Sequence, residues 1–329
     1  MTPSKRRWSV FYSGKKVVVV GGAGMVGSSL VKKLIDASAD VVVLDNFSRG
    51  KTKFAGAKYV YGDAGLEGDC RDVIKGADLV FNLAATVAGV QFNQSNNAYM
   101  FESNIRLLTM PLRISAEYGV GRYLQTSSVC VYAPEHNHPA QEAYGLVGEP
   151  THANAGYSWA KRMGEYEAMW YAEKGLHTVR VRPSNIVGIR DYFDSMAHVV
   201  PALIAKAYNN EVIEVNGSGE ELREFIYVDD VAEGMMAALE YGAAGGVYNL
   251  GTDGYTCVPI KQIVDEIQRA LRTVKPVSYK DMFDPGDGKR WSACGRAESE
   301  LGWTSTMGIK RMIKAVCDWY VEERRAVSV

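Results

Sequence analysis

Residues 15–20 read K-K-V-V-V-V and run straight into G-G-A-G-M-V-G-S-S-L-V-K-K-L-I. A β-branched run that stops at glycine predicts a strand covered on both faces, as in a parallel sheet. Behind the glycines, Val26, Leu30, Val31, Leu34 and Ile35 recur at helical spacing. Between the two elements Gly21, Gly24 and Gly27 form G-x-x-G-x-x-G. Strand, glycine turn and helix in that order let the backbone close tightly and bring a pyrophosphate to the helix N-terminus, so a dinucleotide is the expected ligand. The next strand, residues 40–44, ends in Asp45, eighteen residues beyond Gly27. A carboxylate there can accept hydrogen bonds from the adenosine ribose and repels a 2′-phosphate, which favours NAD over NADP. The same aspartate could instead cap a turn, and Arg49 and Lys51 follow closely.

The alternation continues. Residues 58–61 lead to Gly62-Asp63, residues 77–83 end in N-L-A-A (82–85), a helix is expected near 102–117, and 121–127 is the next strand. Strands alternating with helices at these lengths predict an α/β fold with a Rossmann-type doubly wound parallel sheet. A chain of 329 residues has room for a second, smaller α/β lobe. With 47% hydrophobic and 23% charged residues it has the composition of a folded globular protein. A net charge of −1 offers no long-range attraction to nucleic acid or anionic lipid, and no apolar run approaches the length of a membrane span. The basic opening M-T-P-S-K-R-R lacks the apolar stretch of a secretory signal. Five scattered cysteines without a CxxC pair speak against zinc or a disulfide framework and fit a reducing cytoplasm.

The chemistry concentrates between residues 125 and 161. Q-T-S-S-V-C-V-Y is followed, after twenty-four residues, by Y-S-W-A-K. A Ser/Thr-rich strand end followed by Tyr-x-x-x-Lys resembles the short-chain dehydrogenase/reductase superfamily. Tyr157 and Lys161 lie one helical turn apart and so share a face. Lys161 can bind the nicotinamide ribose and favour the tyrosinate of Tyr157; Ser128 is the hydroxyl expected on the reacting oxygen. The resemblance further implies cofactor contacts from Gly21, Gly24, Met25, Val26, Gly27, Asp45, Asn46, Asp63, Ala64, Leu83, Ala84, Ala85, Asn104 and Pro183. R-P-S-N-I-V-G-I-R (182–190), the stretch 216–234, D-P-G-D-G-K-R-W (284–291) and E-L-G-W (300–303) are similar to extended members that modify sugar nucleotides. On that likeness, residues 14–183 plus 225–252 form the NAD-binding domain, and 184–224 plus 253–329 form a nucleotide-sugar lobe. Asn185, Val199, Arg223 and Arg290 are then expected on the substrate. A homodimer through 101–118 and 159–174 is implied as well.

Cys130 asks for its own explanation, since hydride transfer needs no thiol. The 4,6-dehydratases carry an acidic pair where this chain has Val129-Cys130. S-S-V-C-V-Y instead resembles GDP-mannose 3,5-epimerase and GDP-L-fucose synthase, and His198-Val199-Val200-Pro201-Ala202-Leu203 is similar to the H-V-I-P-A-L of the fucose synthases. A thiol with a free pKa of about 8.5 and an imidazole near 6.5 suit proton removal on one face and delivery on the other. The resemblance makes Cys130 the base and His198 the acid; an inert buried cysteine and a helix-capping histidine are the plain alternatives. The expectation is a redox-neutral NAD-dependent 3,5-, 3- or 5-epimerase of a GDP-linked mannose or heptose, working through a 4-keto intermediate. An epimerase-reductase, a C4-epimerase and a non-catalytic NAD-binding regulator are its rivals.

Overall fold

The structure, a computed structural model, describes residues 9–136, 138–280 and 289–327. The basic opening (1–8) and the whole D-P-G-D-G stretch (284–288) lie outside the described residues. In chain order the strands are β1 (Lys16–Val20), β2 (Asp40–Asp45), β3 (Ala57–Tyr61), β4 (Leu79–Asn82), β5 (Arg122–Thr126), β6 (His177–Pro183) and β7 (Asn185–Val187). They continue as β8 (Ile213–Asn216), β9 (Leu222–Tyr227), β10 (Gly246–Leu250), β11 (Cys257–Pro259), β12 (Val277–Lys280) and β13 (Lys289–Arg290). The helices are α1 (Ser9–Tyr12), α2 (Met25–Asp36), α3 (Glu67–Ile74), α4 (Val90–Ser95), α5 (Asn97–Glu117) and α6 (Ala155–Glu173). Beyond the first crossover come α7 (Val199–Asn209), α8 (Val228–Tyr241), α9 (Ile260–Leu271), α10 (Gly295–Leu301) and α11 (Ile309–Val327). Among the described residues none of these is long and apolar enough to cross a membrane.

Seven parallel strands form the central sheet in the order β10-β6-β5-β4-β1-β2-β3, a Rossmann-type doubly wound α/β arrangement. The valine run of β1 explains why both faces are covered. Successive side chains on a strand point to opposite sides. Val17 and Val19 accordingly enter a core with Leu30, Leu34, Met235 and Leu239 from α2 and α8, while Val18 and Val20 enter another with Ile74, Leu112 and Tyr123. The smaller lobe has its own core, in which Ile204, Ile263, Ile267, Ile313 and Tyr320 meet beneath β7, β9, β11 and β13.

The sheets divide the chain somewhat differently from the sequence. The first crossing falls between Pro183, the last residue of β6, and Asn185, the first of β7. The expected return at residue 225 passes through β9, which belongs wholly to the smaller sheet. Ala297, Leu301 and Trp303, expected in the substrate lobe, pack into the large core instead. Gly302 ends α10 in the left-handed conformation and turns the indole inward, where its Nε1 donates to the Asp230 carbonyl at 3.1 Å. Tyr12, just ahead of the expected domain start, is fully buried and donates to the Met236 carbonyl at 2.6 Å.

One buried carboxylate ties the lobes together. Glu224 on β9 has no exposed surface. Its Oε1 accepts from the Thr252 amide (2.8 Å), the Thr252 hydroxyl (2.9 Å) and the Gly254 amide (2.9 Å). Its Oε2 accepts from the Ser184 hydroxyl and from Ser292, amide at 3.2 Å and hydroxyl at 2.9 Å. Those donors come from the exits of β6, β10 and β13, so one side chain fixes three crossing points.

Candidate active site

The central strands all end at one edge of the sheet, the side on which open α/β sheets bind ligands. Gly21 follows β1 at φ +79°, and a Cβ there would meet the Ala84 amide nitrogen at 2.9 Å. A Cβ on Gly27 would overlap the Gly21 carbonyl oxygen at 2.2 Å. Gly24 faces open room, its nearest neighbours being the Tyr192 hydroxyl at 3.5 Å and the Gly21 carbonyl oxygen at 3.7 Å. It also begins α2 without any side-chain cap. The first amide of the helix to find a backbone acceptor is Ser28, on the Gly24 carbonyl at 2.8 Å, which leaves Met25, Val26 and Gly27 with N–H groups toward that room. Uncapped amides at the positive end of a helix, beside room bordered by the Tyr192 hydroxyl, fit a pyrophosphate.

Asp45 at the end of β2 accepts from the Ala23 amide at 2.9 Å and the Phe47 amide at 2.8 Å. Turn capping and ribose binding are therefore not exclusive, because each carboxylate oxygen keeps a second lone pair. Asn46 accepts from the Ser48 amide at 3.0 Å. Asp63 is exposed at the tip of β3 with Ala64 buried behind it, and Leu83, Ala84 and Ala85 lie half-buried along the exit from β4. Pro183, buried, closes β6. Asn104 lies behind the loop that follows β4. It is fully buried on α5, accepts from the Thr86 amide at 3.1 Å, and donates to the carbonyls of Thr86 (3.0 Å) and Met100 (2.8 Å). These bonds latch the loop after β4 to α5.

After β5 the chain breaks at Ser127-Ser128 into a short 3₁₀ turn, Val129–Val131. Ser128 caps that turn, its hydroxyl oxygen accepting from the Cys130 amide at 3.2 Å. Lys161 on α6 is buried, donates to the Thr126 carbonyl at 2.8 Å, and has its ammonium 5.4 Å from the Tyr157 ring centre. Burial pushes Lys161 down to about 8, against the opposing negative charges of Cys130 and Glu165. Burial likewise pushes the Tyr157 phenol well up, the Cys130 charge adds to this, and a hydrogen bond with Ser128 opposes it. Desolvation of the phenol thus works against the tyrosinate expected from the Tyr-x-x-x-Lys pattern.

Sequence reading missed the supports of this floor. Arg162 donates to the Val131 carbonyl from Nε at 2.8 Å and Nη2 at 2.5 Å, which clamps the turn that bears Cys130. Glu165 receives Arg182 in a buried two-point pair at 2.8 and 2.6 Å, and also accepts from the Ser127 hydroxyl. A charged face at 161, 162 and 165 on one helix, and two arginines inside the apolar strand V-R-V-R-P, were the available signals. Arg290, expected on a substrate phosphate, reaches the floor: its Nη1 donates to the Cys130 sulfur at 3.2 Å.

His198 stands on another wall. It precedes α7, yet its side chain makes no cap bond, so the capping alternative does not describe it. The residue keeps an exposed edge while protein packs around its inner side, and among the described residues no hydrogen bond joins it to Cys130, Tyr157 or Lys161. Desolvation by the surrounding mass lowers its pKa, as does the positive charge of Arg49. The preceding residues cross over the glycine loop. Arg190 donates to the hydroxyls of Ser28 (2.9 Å) and Ser29 (3.0 Å), Tyr192 overlies Gly24, and Arg49 pairs with Asp194 at 3.3 Å while stacking 4.2 Å from the Tyr192 ring. The substrate candidates Asn185 and Arg223 bond backbone carbonyls of β9, of Glu224 and Leu222 respectively, and Val199 is exposed beside His198. Among the described residues no cluster of His, Cys, Asp and Glu could hold a metal ion.

Known proteins share this frame. The NAD dependent epimerase/dehydratase family matches residues 17–251. UDP-glucuronic acid decarboxylase 1 of Arabidopsis thaliana is 29% identical over 308 residues, covering 91% of this chain and 69% of the plant protein. A probable GDP-L-fucose synthase of Drosophila melanogaster is 28% identical over 335 residues, 94% and 98% of the two chains. The UDP-glucose 4-epimerase of Thermotoga maritima, solved with UDP-glucose, superposes with a TM-score of 0.86 at 26% identity, over 94% of this chain and 99% of that one. The family match over most of the chain, the glycine cradle and the Ser-Tyr-Lys floor make one conclusion: the chain belongs to the NAD-dependent nucleotide-sugar epimerase/dehydratase family of extended short-chain dehydrogenases/reductases.

Proposed function

We propose that the protein is a redox-neutral epimerase that inverts C3, C5 or both of a nucleotide sugar through a transient 4-keto form. The observation that carries this reading is the position of Cys130: in the turn capped by Ser128, beside Tyr157 and Lys161 and within 3.2 Å of the Arg290 guanidinium. NAD supplies a reversible hydride acceptor. Tyr157 takes the proton of the C4 hydroxyl as that oxygen becomes a carbonyl, Ser128 bonds the same oxygen, and Lys161 holds the nicotinamide ribose. The ketone acidifies the neighbouring C–H bonds. Cys130 removes such a proton as base, and His198 delivers one to the opposite face as acid.

The Cys130 and His198 contexts, and the fucose-synthase relative, favour a GDP-linked mannose or heptose. Asn185, Val199 and Arg223 are proposed to meet it from the smaller lobe. Exposed Tyr99, Phe101, Trp159 and Trp170 along α5 and α6 support a homodimer through those helices. Five free thiols suit the cytoplasm. A second reading, a C4-epimerase with an incidental thiol, draws on the likeness to UDP-glucose 4-epimerase and on the absence of a bond between His198 and Cys130.

Incubation with GDP-mannose and GDP-manno-heptose in deuterated water, without added cofactor, separates the readings. Deuterium at C3 or C5, reduced about 10²- to 10⁴-fold in Cys130→Ala and His198→Ala, supports the epimerase. Inversion at C4 without deuterium uptake, unchanged in Cys130→Ala, establishes the C4-epimerase. Labelling only of a supplied 4-keto sugar, with consumption of reduced cofactor, replaces both with an epimerase-reductase.

A further inference from the structure

Arg290 enters the active site from the smaller lobe and is buried, with 8% of the residue exposed. Its Nη1 donates to the Cys130 sulfur at 3.2 Å, across 160 residues of chain. Its backbone is fixed on two sides. Arg290 pairs with Arg223 in the parallel ladder of β13 on β9. Just beyond it, the Ala140 amide donates to the Trp291 carbonyl at 2.9 Å and the Ala293 amide to the Ala140 carbonyl at 3.0 Å. Ser292 is held by Glu224, the carboxylate that joins the lobes. A guanidinium delivered from so rigid a base is a built-in neighbour of the sulfur.

We infer that Arg290 is a positioning residue that holds Cys130 as a thiolate aimed into the cleft, an inference that rests on the proposed role of Cys130 as proton base. Arginine cannot lose its proton in any working range, so its charge favours the anion at every pH the enzyme meets. A cation beside a thiol is the usual source of a reactive cysteine. The other thiols show the alternative. Burial pushes Cys70, Cys294 and Cys317 up to about 12 and Cys257 up to about 11. The titratable and charged groups beside Cys130 include Tyr157 and Lys161 from α6 and Arg290 from β13; Lys161, itself near 8, loses its charge on the alkaline side while Arg290 does not. In turnover the sulfur lone pair forms the S–H bond, the C–H pair stays on the sugar as the enolate of the ketone, and reprotonation of carbon from the other face closes the inversion. No oxidant or reductant beyond the bound cofactor is needed.

The test reads the thiol without relying on turnover. Protein purified with its cofactor is alkylated with iodoacetamide from pH 5 to 10, and modification of the Cys130 peptide is followed by mass spectrometry. Thiolate absorbance near 240 nm, with Cys130→Ala as blank, gives a second reading. Arg290→Met should raise the Cys130 midpoint by at least one pH unit and slow alkylation at pH 7 about tenfold, with Arg290→Lys between it and the native protein. Equal midpoints in the native protein and Arg290→Met, with unchanged thermal melting, overturn the inference. If Arg290→Met does not fold, Arg290→Gln and Arg290→Lys decide by the same criterion. A shifted midpoint with full exchange in Cys130→Ala supports the ion pair and removes the base role. Lost exchange in Cys130→Ala with an unshifted midpoint keeps the base role and overturns that of Arg290.

Discussion

Gly24 and Gly27 stand three residues apart and should answer the same substitution in opposite ways. A Cβ on Gly27 would sit 2.2 Å from the Gly21 oxygen, backbone that has nowhere to go, so Gly27→Ala should lower the melting temperature and abolish NAD binding together. At Gly24 the nearest atom is 3.5 Å away and the backbone, at φ −72°, accepts alanine. Gly24→Ala should therefore melt like the native protein yet purify with much less NAD, measured by absorbance of the released nucleotide. The motif spacing located both glycines in the sequence, but it could not tell a packing glycine from one that keeps room for a ligand. Lys161 offers a pH signature of the same grain. With a folded value near 8 against an ordinary 10.5, between those pH values the unfolded chain keeps a proton that the folded one has shed. Stability from this group thus rises with pH across that window. Lys161→Met should flatten that rise in melting temperature and remove activity.

At the scale of elements, α6 carries more than its motif announced. Tyr157 and Lys161 were legible because their meaning is local, two side chains one turn apart on one helix. Arg162 and Glu165 belong to the same face, but their partners, Val131 and Arg182, lie far off in the chain and become neighbours only when β5 and β6 pair. Asn104 shows the converse. The pattern placed it by the cofactor, and it could not show that its amide would bond the Thr86 backbone. Removing Arg182 leaves Glu165 only the longer pair with Arg180 at 3.7 Å, so Arg182→Met should cost up to about 3–5 kcal/mol in denaturant unfolding, whereas Arg182→Met/Glu165→Met should recover part of it. Recovery by the double variant separates ion-pair loss from a cavity, which two truncations would deepen.

Across the whole molecule, the crossing of residues 190–194 over the glycine loop joins the cofactor cradle to the lobe that carries His198. Arg49 holds this crossing through Asp194 and Tyr192; in the sequence it registered only as a positive charge near Asp45, because its partner lies 145 residues away. Arg49→Ala should release NAD faster on dilution, seen as a several-fold higher off-rate, while thermal melting of the cofactor-free protein changes little. The doubly wound sheet was legible from the alternation of periods, whereas the docking of Trp303 on the large core was not, since one tryptophan after E-L-G carries no periodicity. Glu224 has a consequence of another kind. Its hydrogen-bond donors are neutral hydroxyls and amides, three on each oxygen, around a side chain that itself has no exposed surface. Surface pairs such as Lys33–Glu233 weaken as dissolved ions screen them, but a carboxylate held by enclosed dipoles has no counter-charge to screen. The junction of the lobes should therefore keep its geometry in molar potassium chloride, and a brine that loosens the outside of the protein will leave its hinge closed.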